Sequence, residues 1–180
     1  MTASTDDAYD GFLGAIPYAF RATDSRLCRV YVVVGTAIAT LVALLFGLGV
    51  VQLLGSGFVG SGGLVLSTRA FYIVLALFLV GPLLAPTLLV ARRHRHGRAN
   101  ARYDRAIAAS GFLFVASLYL GLVASMPPSF ELDGETVTRP PADGLAAPLL
   151  ELLYAIPEPA WPAVPTVAAA VMVLVHLRYR

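Results

Sequence analysis

The residues from Val30 to Leu54 decide the fold class, and they read VYVVVGTAIATLVALLFGLGVVQLL. This run carries no charged side chain. A helix that rises 1.5 Å per residue needs about 20 residues to cross a hydrocarbon core of about 30 Å. A segment in lipid must also satisfy its own backbone hydrogen bonds, because the lipid offers no partners. The run therefore predicts a transmembrane α-helix.

Three further apolar runs follow, at 70–91, 106–126 and 160–177, of which the last is the shortest. Hydrophobic residues make up 58% of the 180 residues and charged residues 13%, whereas a soluble domain carries about 25% charged residues. The composition therefore excludes a soluble globular enzyme and a disordered protein. We predict an all-α fold, with a single four-helix transmembrane bundle over 30–180 and an N-terminal segment over 1–29.

The arginine residues predict how this bundle is oriented. All 13 basic residues are arginine, and 11 of them precede the first run, lie between the second and third runs, or follow the fourth. Only Arg69 and Arg139 fall elsewhere. Cytoplasmic loops of membrane proteins are enriched in basic residues, so we expect a multi-pass cell-membrane protein with both termini in the cytoplasm. An odd number of helices would distribute the arginines over both sides.

An amphipathic pattern precedes the first run. Its large apolar side chains are spaced along one helical face and are Tyr9, Phe12, Leu13, Ile16 and Phe20. This spacing predicts an N-terminal interfacial helix on the cytoplasmic leaflet, which Pro17 should bend or end. The same spacing also fits a helix that packs against the rest of the protein.

The segment between the third and fourth runs predicts structure outside the membrane. Residues 130–132 and 136–138 alternate between apolar and polar side chains around Asp133-Gly134, which is a favoured two-residue turn of a β-hairpin. Residues 145–156 are apolar apart from Glu151 and too short to span, which favours a short interfacial helix or a re-entrant segment. Trp161 lies where interfacial aromatic side chains are common.

The residues YDGFLGAIPYAFR at 9–21 and DSRL at 24–27 resemble the opening of a family of small haloarchaeal membrane proteins of unknown function. The resemblance covers roughly the first fifty residues. It implies a location in the plasma membrane of a halophilic archaeon and carries no activity, cofactor or ligand. The absence of lysine from the chain is in keeping with such a source.

The apolar runs argue against several function classes. None of the four contains an ionisable side chain in its centre, whereas proton pumps and ion-coupled transporters usually need one. The single cysteine, Cys28, excludes an internal disulfide and a cysteine-built metal site. We predict no catalytic residue, no cofactor, no metal and no nucleic-acid partner.

Two patterns predict helix packing. Small residues recur every four positions, which lets helices approach closely, either within the chain or between subunits. They are Gly35, Ala39, Ala43 and Gly47 in the first run and Ser117, Gly121 and Ser125 in the third. Pro82 and Pro86 should kink the second run, as a structural feature or as the broken helix of a transporter.

A basic cluster between the second and third runs predicts a contact with anionic lipid head groups. Its arginines are Arg92, Arg93, Arg95, Arg98, Arg102 and Arg105. The alternative is that these residues only set the topology.

The leading functional hypothesis is a non-enzymatic structural or accessory membrane protein that packs against a partner protein or a second copy of itself. One alternative is a small transporter or channel that uses the break at Pro82 and Pro86. Another is a membrane enzyme that acts on lipid head groups, for which Asp104 is the only carboxylate near the arginine cluster.

Overall fold

The computed structural model describes residues 11–55, 62–132 and 135–179. Within these ranges the chain is mostly helical, as predicted, and a single β-hairpin is the other regular element. The helices are α1 (Gly11–Ala22), α2 (Arg26–Gly55), α3 (Gly62–Arg95), α4 (Ala101–Ala124), α5 (Ala147–Tyr154) and α6 (Ala163–Arg178). The strands are β1 (Ser129–Leu132) and β2 (Glu135–Thr138).

Three of these helices are long and apolar enough to cross a membrane. They are α2, α3 and α4, and they contain the first three predicted runs except for the last two residues of the third. Helix α3 extends past its predicted end at residue 91, because basic side chains are favourable near a helix C-terminus. Helix α4 begins before residue 106, because the side chain of Asn100 caps the backbone N–H groups of Arg102 and Tyr103. Helix α6 has only 16 residues.

Helix α4 lies at the centre of the packing. Helices α2, α3 and α4 contact one another, α1 packs on α2 and α3, and both α5 and α6 pack on α4. The largest fully buried side chains are concentrated where the arginine-rich ends of these helices meet. They include Tyr31, Leu83, Val90, Tyr103 and Ile107.

Tyr31 joins three helices at one point. Its hydroxyl donates a hydrogen bond to the carbonyl oxygen of Leu83, 2.8 Å away on α3. Its ring lies over Gly111 of α4, where an added Cβ would overlap the ring. Helix α3 runs without interruption through Pro82 and Pro86. Because Pro86 has no backbone N–H, the carbonyl of Pro82 has no donor within the helix. The Tyr31 hydroxyl binds the carbonyl of the next residue, Leu83.

Helix α1 uses two different faces. The small side chains of Ala15 and Ala19 are buried against the bundle, whereas Leu13 is 77% exposed and Phe20 is 43% exposed. Leu13 and Phe20 therefore point away from the protein, whereas Ile16 is partly buried and packs against the core. The helix continues through Pro17 to Ala22, so Pro17 does not end it, and the expected bend stays a prediction. Tyr9 and the side chain of Phe12 lie outside the described residues.

The predicted hairpin and the short helix after it are both confirmed. Strands β1 and β2 are antiparallel, and Leu132 pairs with Glu135 across the two turn residues, which are outside the described part of the chain. The guanidinium of Arg139 lies 4.0 Å from the centre of the Tyr154 ring. This cation–π contact connects the end of the hairpin to α5.

Candidate functional site

A tight turn brings the arginine-rich ends of α3 and α4 together. Gly97 has a φ of +68°, a conformation that favours glycine. The N–H of Gly97 bonds the carbonyl of His94, and the N–H of Arg98 bonds the carbonyl of Arg93. These two bonds form a Schellman motif, which ends α3 and reverses the chain within a few residues.

A cavity of about 420 Å³ opens at this end of the bundle, and we call it the basic cavity. Its lining combines three arginines and two histidines with one leucine. These residues are Leu89, Arg92, Arg93, His96, Arg98 and His176. Three of the six arginines predicted to contact anions therefore share one cavity, whereas Arg95, Arg102 and Arg105 are not among its lining residues.

Within the described ranges, no acidic side chain forms an ion pair with the arginines of the basic cavity. In the ranges that the structure describes, the ion pair at this end of the bundle joins His94 to Asp104. Neither Arg92, Arg93 nor Arg98 pairs with a carboxylate there. Three guanidinium groups with unused donors make the cavity suited to an anion with several oxygen atoms.

Arg93 is the most constrained of the three arginines. Its guanidinium carbon lies 4.1 Å from the centre of the Tyr103 ring, and its Nη1 donates to the carbonyl oxygen of Tyr179 at 2.7 Å. Its Nε is buried and has no hydrogen-bond partner among the described residues. A buried donor without a partner costs about 1–3 kcal/mol, so the contacts with Tyr103 and Tyr179 must hold Arg93 in this position against that cost.

Both histidines of the basic cavity are held by hydrogen bonds. The Nδ1 atom of His96 donates to the carbonyl oxygen of Arg92 at 2.7 Å. The Nδ1 atom of His176 lies 2.9 Å from the hydroxyl of Tyr103. Tyr103 therefore contacts Arg93 with its ring and His176 with its hydroxyl, and this arrangement fixes the positions of α3 and α6 around α4.

A buried carboxylate follows Tyr103 in the first turn of α4. Asp104 is 1% exposed, and its Oδ2 accepts hydrogen bonds from the Thr23 hydroxyl at 2.7 Å and from His94 Nε2 at 2.8 Å. Its Oδ1 is buried without a partner among the described residues. Asp104 thus connects the α1–α2 junction and α3 to α4, and it is not a lining residue of the basic cavity.

The sequence analysis missed this cluster because it started the third span at residue 106. That boundary placed Asp104 in a solvated loop. The spacing of Tyr103, Ile107 and Phe114, all of them buried, is helical and extends the buried face back past Asp104. This periodicity is the signal that could have found the buried carboxylate.

A family model for DUF8056, a domain of unknown function, matches residues 1–180. The chain belongs to the DUF8056 family. No curated protein and no solved structure matches it. The match agrees with the expected resemblance to a family of unknown function, and the haloarchaeal source stays a prediction.

The predicted packing residues of this DUF8056 chain fall into different environments. In α2, Gly35 and Ala39 are buried, whereas Ala43 and Gly47 are exposed. A Cβ added at Gly35 would lie 3.3 Å from the carbonyl oxygen of Leu83, so α2 and α3 approach closely there. The side chains of Ser117 and Ser125 donate to carbonyls of their own helix.

Gly121 marks the close approach of α4 to α6. A Cβ added at Gly121 would lie 3.3 Å from Pro165 and 3.8 Å from Trp161. Because His176 at the other end of α6 contacts Tyr103, the two helices run antiparallel. Within the described residues, no group of three or more His, Cys, Asp or Glu side chains is arranged to hold a metal ion.

Proposed function

We propose that this DUF8056 protein is a multi-pass membrane protein whose basic cavity binds the phosphate group of an acidic lipid. The observation that carries the proposal is the cavity itself, in which Arg92, Arg93 and Arg98 converge without a carboxylate partner among the described residues. Guanidinium groups bind phosphate through two parallel N–H···O bonds.

The proposal includes a fourth membrane crossing by α6. Its 16 residues extend about 24 Å, and it packs antiparallel on α4, which is long enough to span. Trp161 precedes α6, in the position of an interfacial aromatic. Four crossings place the N-terminus, the α3–α4 turn and the C-terminus on one side, which the arginine distribution favours as the cytoplasm.

With four crossings, the basic cavity would lie at the level of the lipid head groups. The cavity lies where α3 and α6 end and α4 begins, next to the apolar segments of these helices. Helix α1 exposes Leu13 and Phe20 at the same end of the bundle, which supports its predicted place in the cytoplasmic interface. Lipid phosphates are the anions present there at the highest local concentration.

A binding or accessory role is favoured over catalysis by the position of Asp104. The enzyme hypothesis needs this carboxylate beside the bound head group, but Thr23 and His94 already occupy its Oδ2. A structural role of Pro82 and Pro86 is favoured over a gate, because α3 is continuous through both residues. The protein would thus recognise or anchor acidic lipid without transforming or transporting it.

The test compares two double variants with the same change in net charge. R92Q/R98Q removes two arginines of the basic cavity, whereas R102Q/R105Q removes two exposed arginines outside it. We expect the first to weaken binding of an acidic phospholipid at least about tenfold and the second by less than about twofold. Binding is measured by native mass spectrometry of the protein in non-ionic detergent with added lipid.

An equal loss of affinity in both variants would contradict the proposal, because it would assign the binding to overall charge. Unchanged binding in R92Q/R98Q would contradict it too. Circular dichroism of each variant checks that the helices are intact.

A further inference from the structure

We infer that the ligand of the basic cavity is an amphiphile with a terminal phosphomonoester, whose apolar chain lies in a groove on α6. The inference rests on the proposed function and adds the chemical class of the ligand. Two observations carry it, namely the donor set of the basic cavity and a second cavity beside it.

The donor set fits a phosphomonoester better than a phosphodiester. A phosphomonoester presents three terminal oxygens and a charge of about −1.5 to −2 at pH 7. A phosphodiester, the usual linkage of a phospholipid head group, presents two terminal oxygens and one negative charge. Three arginines line the basic cavity and none is paired with a carboxylate in the described ranges, so the ligand with the additional oxygen and charge makes an additional hydrogen bond.

The second cavity has a volume of about 510 Å³ and lies on the final turns of α6; we call it the apolar groove. Its lining residues are Leu174, Val175, Leu177, Arg178 and Tyr179. Val175 and Leu177 directly precede and follow His176, which lines the basic cavity. Successive helix residues are about 100° apart around the axis, so His176 faces away from Leu174 and Arg178. The residue that connects the two cavities is Tyr179, just after the end of α6.

Tyr179 marks the boundary between the two cavities. Its carbonyl oxygen holds the Nη1 of Arg93, its ring packs against Tyr103 at a centroid distance of 6.1 Å, and it lines the apolar groove. A ligand with its phosphate at Arg93 would therefore have its apolar part beside Tyr179. A free phosphate or a small soluble phosphate ester has no apolar part to place there.

The experiment compares four probes on the intact protein in non-ionic detergent. They are dioleoyl phosphatidic acid, dioleoyl phosphatidylglycerol, glycerol 3-phosphate and inorganic phosphate. We expect phosphatidic acid to bind about tenfold more tightly than phosphatidylglycerol and both soluble phosphates to bind much more weakly. The R92Q/R98Q variant should lose the preference between the two lipids.

A second pair of variants tests the apolar groove. L174A/L177A shortens two groove side chains, and V167A/V173A shortens two exposed side chains of α6 outside the groove. All four side chains are more than half exposed, so neither pair should disturb the core. We expect only L174A/L177A to weaken phosphatidic acid binding, by roughly threefold to tenfold, because the shortened side chains cover less of the lipid's apolar surface.

The outcomes separate this inference from the proposed function. Equal binding of the two lipids would contradict the assignment of the ligand's head group as a phosphomonoester. Binding of glycerol 3-phosphate as tight as that of phosphatidic acid would contradict the assignment of the ligand as an amphiphile. Both results would leave the basic cavity as an anion site. Failure of all four probes to bind would overturn the proposed function itself.

Discussion

The arginine-rich half of the bundle and its opposite half are packed in different ways. The side chains of Tyr31 and Tyr103 are fully buried, and their hydroxyls find hydrogen-bond partners on neighbouring helices. In the opposite half, large apolar side chains of α2 and α3 point outward. More than half of each of the following side chains is exposed: Leu41, Leu44, Leu45, Leu48, Phe71, Leu77 and Phe78.

This difference teaches where the fold obtains its specificity. In a bilayer an outward-facing leucine contacts lipid tails that are as apolar as itself, so it gains little from packing on protein. Close packing and interhelical hydrogen bonds supply the specificity instead, and they are concentrated at the arginine-rich end. Three substitutions probe the contrast, from the largest expected effect to the smallest.

The largest effect is expected for Gly111→Leu. A Cβ at this position would overlap the ring of Tyr31, which is fully buried and hydrogen-bonded to Leu83, so the larger side chain must force α2 and α4 apart. We expect a decrease of at least about 3 kcal/mol in the free energy of unfolding. Unfolding in mixed detergent micelles, followed by circular dichroism, measures it.

The matched control is Gly47→Leu, because Gly47 is exposed and has no atom within 4 Å of an added Cβ. If both substitutions had the same effect, the close contact at Tyr31 would not be the source of stability.

An intermediate effect is expected for Asp104→Ala. The substitution leaves the Thr23 hydroxyl and His94 without their acceptor in a buried environment. We expect the free energy of unfolding to fall by about 2–3 kcal/mol, with Asp104→Asn recovering part of it because the amide oxygen still accepts. The same unfolding experiment measures both variants. The control is Asp24→Ala, because Asp24 is exposed and lies near the cluster in sequence. It should change the free energy of unfolding by less than about 0.5 kcal/mol.

A destabilisation by Asp24→Ala as large as that by Asp104→Ala would show that the buried hydrogen bonds are not what this region depends on. The buried and unpaired Oδ1 adds a second check. Its desolvation cost offsets part of the gain from Oδ2, so a destabilisation well above about 3 kcal/mol would contradict the description of the cluster.

The smallest effect is expected for L44A/L48A in the opposite half. Both side chains are mostly exposed, and lipid or detergent takes the place of the atoms that are removed. We expect a change below about 1 kcal/mol, whereas Leu83→Ala in the packed half should cost about 2–5 kcal/mol. Unfolding in micelles compares them, and a large destabilisation by L44A/L48A would identify this face as an interface with another subunit.

The regular elements could be predicted because local patterns encode them. Hydrophobic runs marked the helices, and the alternation around Asp133-Gly134 marked the hairpin with its pairing. The helix ends were less predictable, because the cap at Asn100 and the turn at Gly97 extend the helices into polar sequence. A prediction based on hydropathy ends a helix at the first charged residue, although the backbone stays helical beyond it.

For the site, the sequence predicted the residue types but not which of them lie together. Six clustered arginines indicated an anion contact, but which of them share a cavity depends on where α6 lies against α4, and no local pattern encodes that contact. The Asp104 cluster was missed for the same reason, since Thr23 and His94 reach the carboxylate from separate parts of the chain. Contacts between distant positions require the tertiary structure.

The hydrogen bond between Thr23 and Asp104 also constrains the order of assembly during synthesis. The two residues are 81 positions apart, and a ribosome that adds about 5–20 residues per second needs roughly 4–16 s to pass from one to the other. The junction of α1 and α2 therefore emerges several seconds before its acceptor exists. Helix α1 packs on α2 and α3, so it can dock before α4 is made, but the junction that follows it stays unanchored until residue 104 has been added.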